Sequence, residues 1–272
     1  MRSEPAETKR RGESPYHSRA VSRALNILKS FTIDDFELSI ADLNARLGIP
    51  KSTLVRLLQC MADEGFIEHN EQTSKYRLGV KLFELGSLYE RTRVMNVGML
   101  ARPYMQELVD RYRLSSNLAI RNGGEIVYVA VAEPVGTQMR MAYSVGDRFG
   151  LHHTALGKAL IAYMEEDACE ELLEKIDMEP LTPNTIVSVE KLKEELERVR
   201  EQGYAVDDQE SLPGLRCLAA PIWSGDGVMA AMSVSGSILE IAGERKEEIV
   251  TDVIDCAERV SIKLGGEPRA TN

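Results

Sequence analysis

Apolar positions recur along the first ninety residues with a period that changes at identifiable points. In Ala20–Phe31, AVSRALNILKSF, the residues Val21, Leu25 and Leu28 fall at helical spacing, and Ala24 and Ile27 widen the stripe. A second stretch, Ile40–Leu47, carries its apolar residues at Ile40, Leu43 and Leu47, and Ser39 before it is a helix N-cap residue. Gly48 then stops the helix, because glycine tolerates the left-handed conformation at a helix end. Pro50 suits the first turn of a third helix, where its missing N–H is no loss. That helix presents Leu54, Leu57, Leu58 and Met61 on one face and ends near Gly65. Beyond it, Phe66–His69 and Lys75–Leu78 bracket the polar NEQTS, which predicts a short hairpin. This order of elements is the layout of a winged helix-turn-helix.

From Leu78 the spacing of Leu78, Leu82, Leu85 and Tyr89 predicts a linker helix with a partner-facing seam. Asn96–Tyr112 reads as helix. Asn117–Ile120 and Ile126–Ala132 flank Asn122-Gly123-Gly124, a hairpin signal. Met139–Tyr143 reads as a strand and Ala155–Tyr163 as a helix. Two amphipathic helices follow, around Glu166–Ile176 and Val189–Glu201. Cys217–Trp223 and Val228–Ser235 are strands joined by Ser224–Gly227, and Glu244–Leu264 closes the chain as a long helix. Strands and helices mix without regular βαβ alternation, so the expectation is an α+β domain with a largely antiparallel sheet. The domains expected are a disordered tail over 1–15, a winged helix-turn-helix over 16–79, a linker helix over 80–95 and a third unit over 96–272.

Composition narrows the function classes. No apolar run approaches the roughly 20 residues of a membrane span, and MRSEPAETKRRGESPYHS lacks the apolar region of a secretory signal. The cysteines Cys60, Cys169, Cys217 and Cys256 form no CxxC pair, and no histidine stands near them at a zinc spacing, so neither a disulfide framework, a metal nor any other cofactor is expected. A cytoplasmic protein fits best. The net charge of −10 argues against nucleic acid when taken alone. Its distribution does not: residues 1–93 hold 15 Lys+Arg against 13 Asp+Glu, and the remainder holds 18 against 30. DNA affinity depends on the local face, which a near-neutral N-terminal unit can make basic.

With Leu54, Leu57 and Leu58 inward, Lys51, Ser52, Val55, Arg56 and Gln59 face outward beside Thr53. That is the side a helix in a major groove would present to bases. Arg and Lys pair with guanine or phosphate, Ser and Thr serve either, and Val55 suits a thymine methyl. Lys75 and Arg77 alternate on the second strand of the hairpin and would reach backbone phosphates.

The chain resembles the IclR family of bacterial transcriptional regulators. In the N-terminal half the resemblance is carried by SRALNIL, IADLNARLGIPKSTLVRLLQ, GFI and YRLGVKLFELG. One departure is Asn44, where the family usually has Ala; an Asn there needs a hydrogen-bond partner. The resemblance continues through LHHTALGKALIAY, TPNTI, GYAVDDQE, GLRCLAAPI and AAMSVSG. It implies a GAF-like effector-binding domain that senses a small molecule such as a carboxylic or keto acid, in a homodimer or homotetramer that binds operator DNA, with a repressor the first expectation. It also implies ligand contacts at the amides of Ala155 and Leu156 and at Asp207, Cys217, Ser233 and Ser235. Their chemistry is consistent: Ser233 and Ser235 share a strand face, and Asp207 and Cys217 supply an acceptor and a weak donor. Met141, Leu151, Leu215 and Met232 are candidate pocket walls. Two alternatives stay open. One is a hydrolase-like enzyme with Cys217 as nucleophile, His152 or His153 as base and Asp207 as orienter. The other is a winged-helix module that binds protein.

Overall fold

The computed structural model describes residues 18–32, 34–90, 93–136 and 143–267. The chain divides into two compact units, Met1–Tyr89 and Glu90–Asn272. The expected tail over 1–15 lies outside the described residues.

In the first unit α1 (Arg19–Leu28), α2 (Ile40–Leu47) and α3 (Lys51–Asp63) precede a hairpin of β1 (Ile67–Asn70) and β2 (Lys75–Leu78). Ser39 and Asp42 form a reciprocal capping box, each satisfying a backbone N–H of the other at the start of α2. Gly48 ends α2 at φ +63°, and α3 begins directly after Pro50. Ile27, Leu43, Leu54, Leu58, Met61 and Ile67 build a small core, with Tyr76 of the hairpin packed on it. Leu38 pairs with Tyr76 as an antiparallel bridge and ties the wing back to the entry of α2. The stripe expected on α1 is rotated. Ala24, Ile27 and Leu28 face the core, whereas Val21 and Leu25 stand more than half exposed. After β2 comes α4 (Val80–Glu90). Leu78 ends the strand instead of opening a helical seam, and Val80, Phe83, Leu85 and Leu88 of α4 are exposed.

The second unit is α5 (Arg93–Tyr112), β3 (Ser115–Asn122), β4 (Glu125–Ala132), β5 (Arg148–Gly150), α6 (Ala155–Ile161), α7 (Glu166–Leu173), α8 (Val189–Gln202), β6 (Ala205–Asp208), β7 (Leu215–Ser224), β8 (Gly227–Ser237) and α9 (Gly243–Lys263). Six strands form one sheet in the order β5-β4-β3-β8-β7-β6. Every neighbouring pair is antiparallel. Gly123 and Gly124 close the β3–β4 hairpin between the paired Asn122 and Glu125, with Gly123 at φ +65°. Two strands, β5 and β6, are too short for an alternation to show in the sequence. Of the strand expected at Met139–Tyr143, residues 139–142 lie outside the described residues, and Tyr143 is not in a strand.

The sheet separates two cores. Leu118, Val129, Leu218, Ala220, Met232 and Val234 face α5 and α9. The alternate positions, among them Ala119, Tyr128, Cys217, Ala219 and Ala231, face α6, α7 and α8. Strand alternation therefore decides which residues can reach the second face, where the cavity lies.

Candidate DNA face and effector cavity

On α3 the outward residues are Lys51, Ser52, Val55, Arg56 and Gln59, all exposed, while Thr53 is half-buried. Lys51, Ser52 and Arg56 make no ion pair or side-chain hydrogen bond among the described residues, so their donors remain free. Gln59 donates to Asp63 at 2.8 Å. Asn44 has the partner it needs: its Nδ2 donates to the carbonyl of Ile49 at 2.7 Å, across the turn. The wing differs between its two cations. Lys75 forms no ion pair among the described residues, whereas Arg77 holds Glu68 of β1 through Nε and Nη2 at 2.9 and 2.8 Å. Arg77 thus has Nε and Nη2 engaged by a carboxylate, whereas the Lys75 ammonium has no such partner among the described residues.

In the second unit a cavity of about 470 Å³ opens between the sheet and α6. Ala155, Leu156, Asp207, Cys217, Ser233 and Ser235 all line it. Four elements bring them together: α6 supplies the first two, and β6, β7 and β8 the rest. Asp207 pairs with Cys217 across β6–β7, and Cys217 with Ser235 across β7–β8, so one face carries the polar row. Tyr128, Tyr143 and Phe149 add an aromatic cluster to the lining, with ring centroids 5.2 to 5.5 Å apart. Leu181 and Leu212 complete the apolar part.

The N-terminal end of α6 is built from main chain. The N–H groups of Ala155 and Leu156 precede the first intrahelical bond, that of Lys158 N–H to Thr154 O. Thr154 caps the helix, accepting from Gly157 N–H at 3.0 Å and donating to Gly150 O at 2.9 Å. A Cβ at Gly157 would lie 2.3 Å from the Leu151 carbonyl oxygen, so only glycine lets this turn pack on the preceding loop.

The pocket walls expected at Leu151, Leu215 and Met232 are corrected. Met232 sits between Ala231 and Ser233 on β8, both on the cavity side, and points to the α5–α9 core. Leu151 and Leu215 are buried within the core around α6, behind the lining residues. Met141 lies outside the described residues.

Charge is organised behind the cavity. Asp207 accepts from Glu210 N–H at 2.8 Å and from the Ser211 hydroxyl, so its carboxylate shapes the loop after β6. Burial still holds the Asp207 carboxyl above its ordinary range, against the pull of Ser211. Lys158 of α6 is 0 % exposed and meets Glu210 at 2.5 Å and Glu195 of α8 at 3.5 Å. Burial pushes the Glu210 carboxyl up to about 7, with Lys158 opposing it. These partners are too far apart in the chain for a local pattern to show them, although one Lys inside ALGKALIAY is a signal for a buried cation that needs a carboxylate. Asn117, on β3, carries no signal of a role in the sequence. It is buried beside Ser233, and its Nδ2 donates to Ser235 Oγ at 3.2 Å.

The nucleophile arrangement is not assembled. Burial pushes the Cys217 thiol well above its ordinary value, the reverse of what a thiolate needs. His153 Nε2 accepts from Gly150 N–H and His152 Nε2 meets Glu179 O, and neither bonds Cys217. Among the described residues no cluster of three or more His, Cys, Asp or Glu could hold a metal ion, and no helix is long and apolar enough to cross a membrane.

Comparison with known proteins gives both units the same assignment. Residues 20–71 match the IclR helix-turn-helix domain, and residues 90–262 match the bacterial transcriptional regulator IclR C-terminal domain. The HTH-type transcriptional regulator XynR of Escherichia coli is 39% identical over 218 residues, 79% of this chain and 85% of its own. The HTH-type transcriptional repressor AllR of Salmonella typhi is 32% identical over 252 residues, 92% of each chain. A crystal structure of an IclR homologue complexed with 4-hydroxybenzoate, from Microbacterium hydrocarbonoxydans, superposes with a TM-score of 0.78 at 25% identity, covering 90% of this chain and 98% of that one. The winged helix-turn-helix, the linker helix and the antiparallel effector-type domain thus carry one identity: the chain belongs to the IclR family of bacterial DNA-binding transcriptional regulators.

Proposed function

We propose that this regulator is a cytoplasmic repressor whose hold on operator DNA is set by a small organic acid bound in the cavity of the second unit. The observation that carries the reading is the convergence of Ala155, Leu156, Asp207, Cys217, Ser233 and Ser235 on one cavity. Its polar row offers hydroxyls, a thiol and main-chain N–H groups to an anion, while the aromatic cluster takes an apolar body. A pocket mostly apolar with a few convergent polar groups is the usual form of a small-molecule site.

At the other end, Lys51, Ser52, Thr53, Val55, Arg56 and Gln59 enter the major groove, and Lys75 and Arg77 contact phosphates. The working domains are 16–79, the linker helix 80–95 and 96–272, in a homo-oligomer whose two-fold symmetry matches the operator. The acid acts by binding two subunit arrangements unequally, which is the only way a ligand shifts such an equilibrium.

The test is operator binding by fluorescence anisotropy on DNA from upstream of the gene, with and without a panel of small acids. Asp207→Ala and Ser235→Ala are expected to remove the acid response and leave DNA affinity intact. Variants that respond as the parent does would sink the cavity assignment.

A further inference from the structure

The hydrogen-bond inventory of the cavity is uneven. Asp207 is occupied by Glu210 N–H and Ser211, and Thr154 both gives and accepts within its own cap. His153 is different. Gly150 N–H donates to its Nε2 at 3.1 Å, so Nε2 bears no proton and the neutral ring carries its N–H at Nδ1. That Nδ1 is buried and has no partner. The ring lines the cavity and is only 5% exposed. His152 does not supply the missing acceptor: the two rings stand edge to face at 4.8 Å, and both Nδ1 atoms remain unpartnered. Ser233 Oγ, also in the lining and 1% exposed, lacks a partner too.

A buried N–H without an acceptor is destabilising, and a group that lines a cavity can find its acceptor in what fills it. We infer that His153 is an effector-contacting residue whose Nδ1–H donates to an oxygen of the bound acid that carries no proton, a carboxylate or keto oxygen. The inference rests on reading the cavity as the effector site. It adds a residue outside the polar row on β6, β7 and β8, on the loop that leads into α6. Ser233, whose hydroxyl can give or accept, is a second unpartnered polar group in the same lining.

Two substitutions separate this role from that of a loop support. His153→Gln can keep an acceptor for Gly150 N–H but has no donor at the Nδ1 place, whereas the amide nitrogen of His153→Asn occupies that place. The probes are pyruvate, 2-oxoglutarate, D-gluconate and 4-hydroxybenzoate, titrated calorimetrically into the full-length protein. A probe that binds the parent is expected to weaken by about tenfold or more in His153→Gln and to stay within about threefold in His153→Asn. Unchanged binding in His153→Gln would overturn the role of His153 and leave the cavity reading standing. Equal losses in both variants would make the ring a loop support and overturn the donor role. Binding of none of the four probes would overturn the cavity reading and this inference with it. Nitrogen-15 histidine NMR on the parent gives an answer that no unfolded variant can obscure. The Nδ1–H tautomer at His153 is expected, and a proton on Nε2 would exclude the donation.

Discussion

Lys51, at the first turn of α3, and Lys158, in α6, put the same ammonium group into opposite surroundings. Lys51 is exposed and unpaired among the described residues, beside Arg56 in the same state. Lys158 is fully buried, and two glutamates of other elements close on it. A cation meant for an outside partner gains from being left free, because a prior salt bridge must be broken before a phosphate is bound. A cation inside the protein is tolerable only with carboxylates around it. Arg77 shows the intermediate case, exposed yet already engaged by Glu68. The two lysines thus differ in kind: Lys51 is left exposed, and Lys158 is enclosed by carboxylates.

Replacing the two lysines breaks the comparison most forcefully. Lys158→Ala leaves Glu210 buried without its partner and should lower stability by about 3–5 kcal/mol. Pairing it with Glu210→Gln should restore much of the loss, whereas Lys51→Ala should change stability by less than about 0.5 kcal/mol. Urea midpoints of the full-length variants decide it, and equal losses from both lysines would dissolve the distinction.

On the DNA side, Arg56→Ala should weaken operator binding by about 1–3 kcal/mol with stability unmoved. Operator affinity that survives the combined loss of Lys51 and Arg56 would remove α3 from the groove. The salt dependence sharpens the contrast between Arg56 and Arg77: log affinity should fall linearly with log salt in the parent.

His153 adds a pH signature confined to the second unit. Burial pushes its ring down to about 4 from an ordinary 6.5. Between those values the unfolded chain takes up a proton that the folded ring refuses, so stability is lost as pH falls from 6.5 through 4. His153→Gln should remove on the order of 2 kcal/mol of that acid-side loss, read as urea midpoints at pH 7 against pH 4.5. An unaltered acid limb would mean that the ring titrates normally in the folded protein. A smaller loss is expected for Asn44→Ala, about 1 kcal/mol from the lost bond to Ile49 O, with operator affinity reduced through a loosened turn. Full stability and full affinity in that variant would mean the bond contributes nothing.

These differences also explain what could be read from the residues. In the first unit, Ser39, Gly48, Pro50 and the Leu54–Leu58 face act locally, and each local signal agrees with the element found. The rotation of α1 escaped because Val21 and Leu25 are as apolar as the residues that do face the core, so periodicity offered two stripes. In the second unit, the cavity's six contacts came through family resemblance, and the geometry then gathers them. Its walls could not be read that way. Met232 and Ser233 are adjacent in sequence but lie on opposite faces, and only the register of β3, β8 and β7 decides which face holds a cavity. Asn117, Lys158 and Glu210 matter through partners 118, 37 and 52 residues away, a separation no local pattern encodes.

The bond from Asn44 to the Ile49 carbonyl has a consequence for how such a reader could change its target. The clasp of the turn lies entirely in residues 44–50, upstream of every outward position on α3. Side chains 51, 52, 55, 56 and 59 could therefore be exchanged as a block, with the pose of the helix inherited from the clasp. Selection of binding sites from a random DNA pool would show whether such a graft brings its donor's sequence preference with it. A graft that folds but prefers the parental site would mean that pose, more than side-chain identity, chooses the DNA.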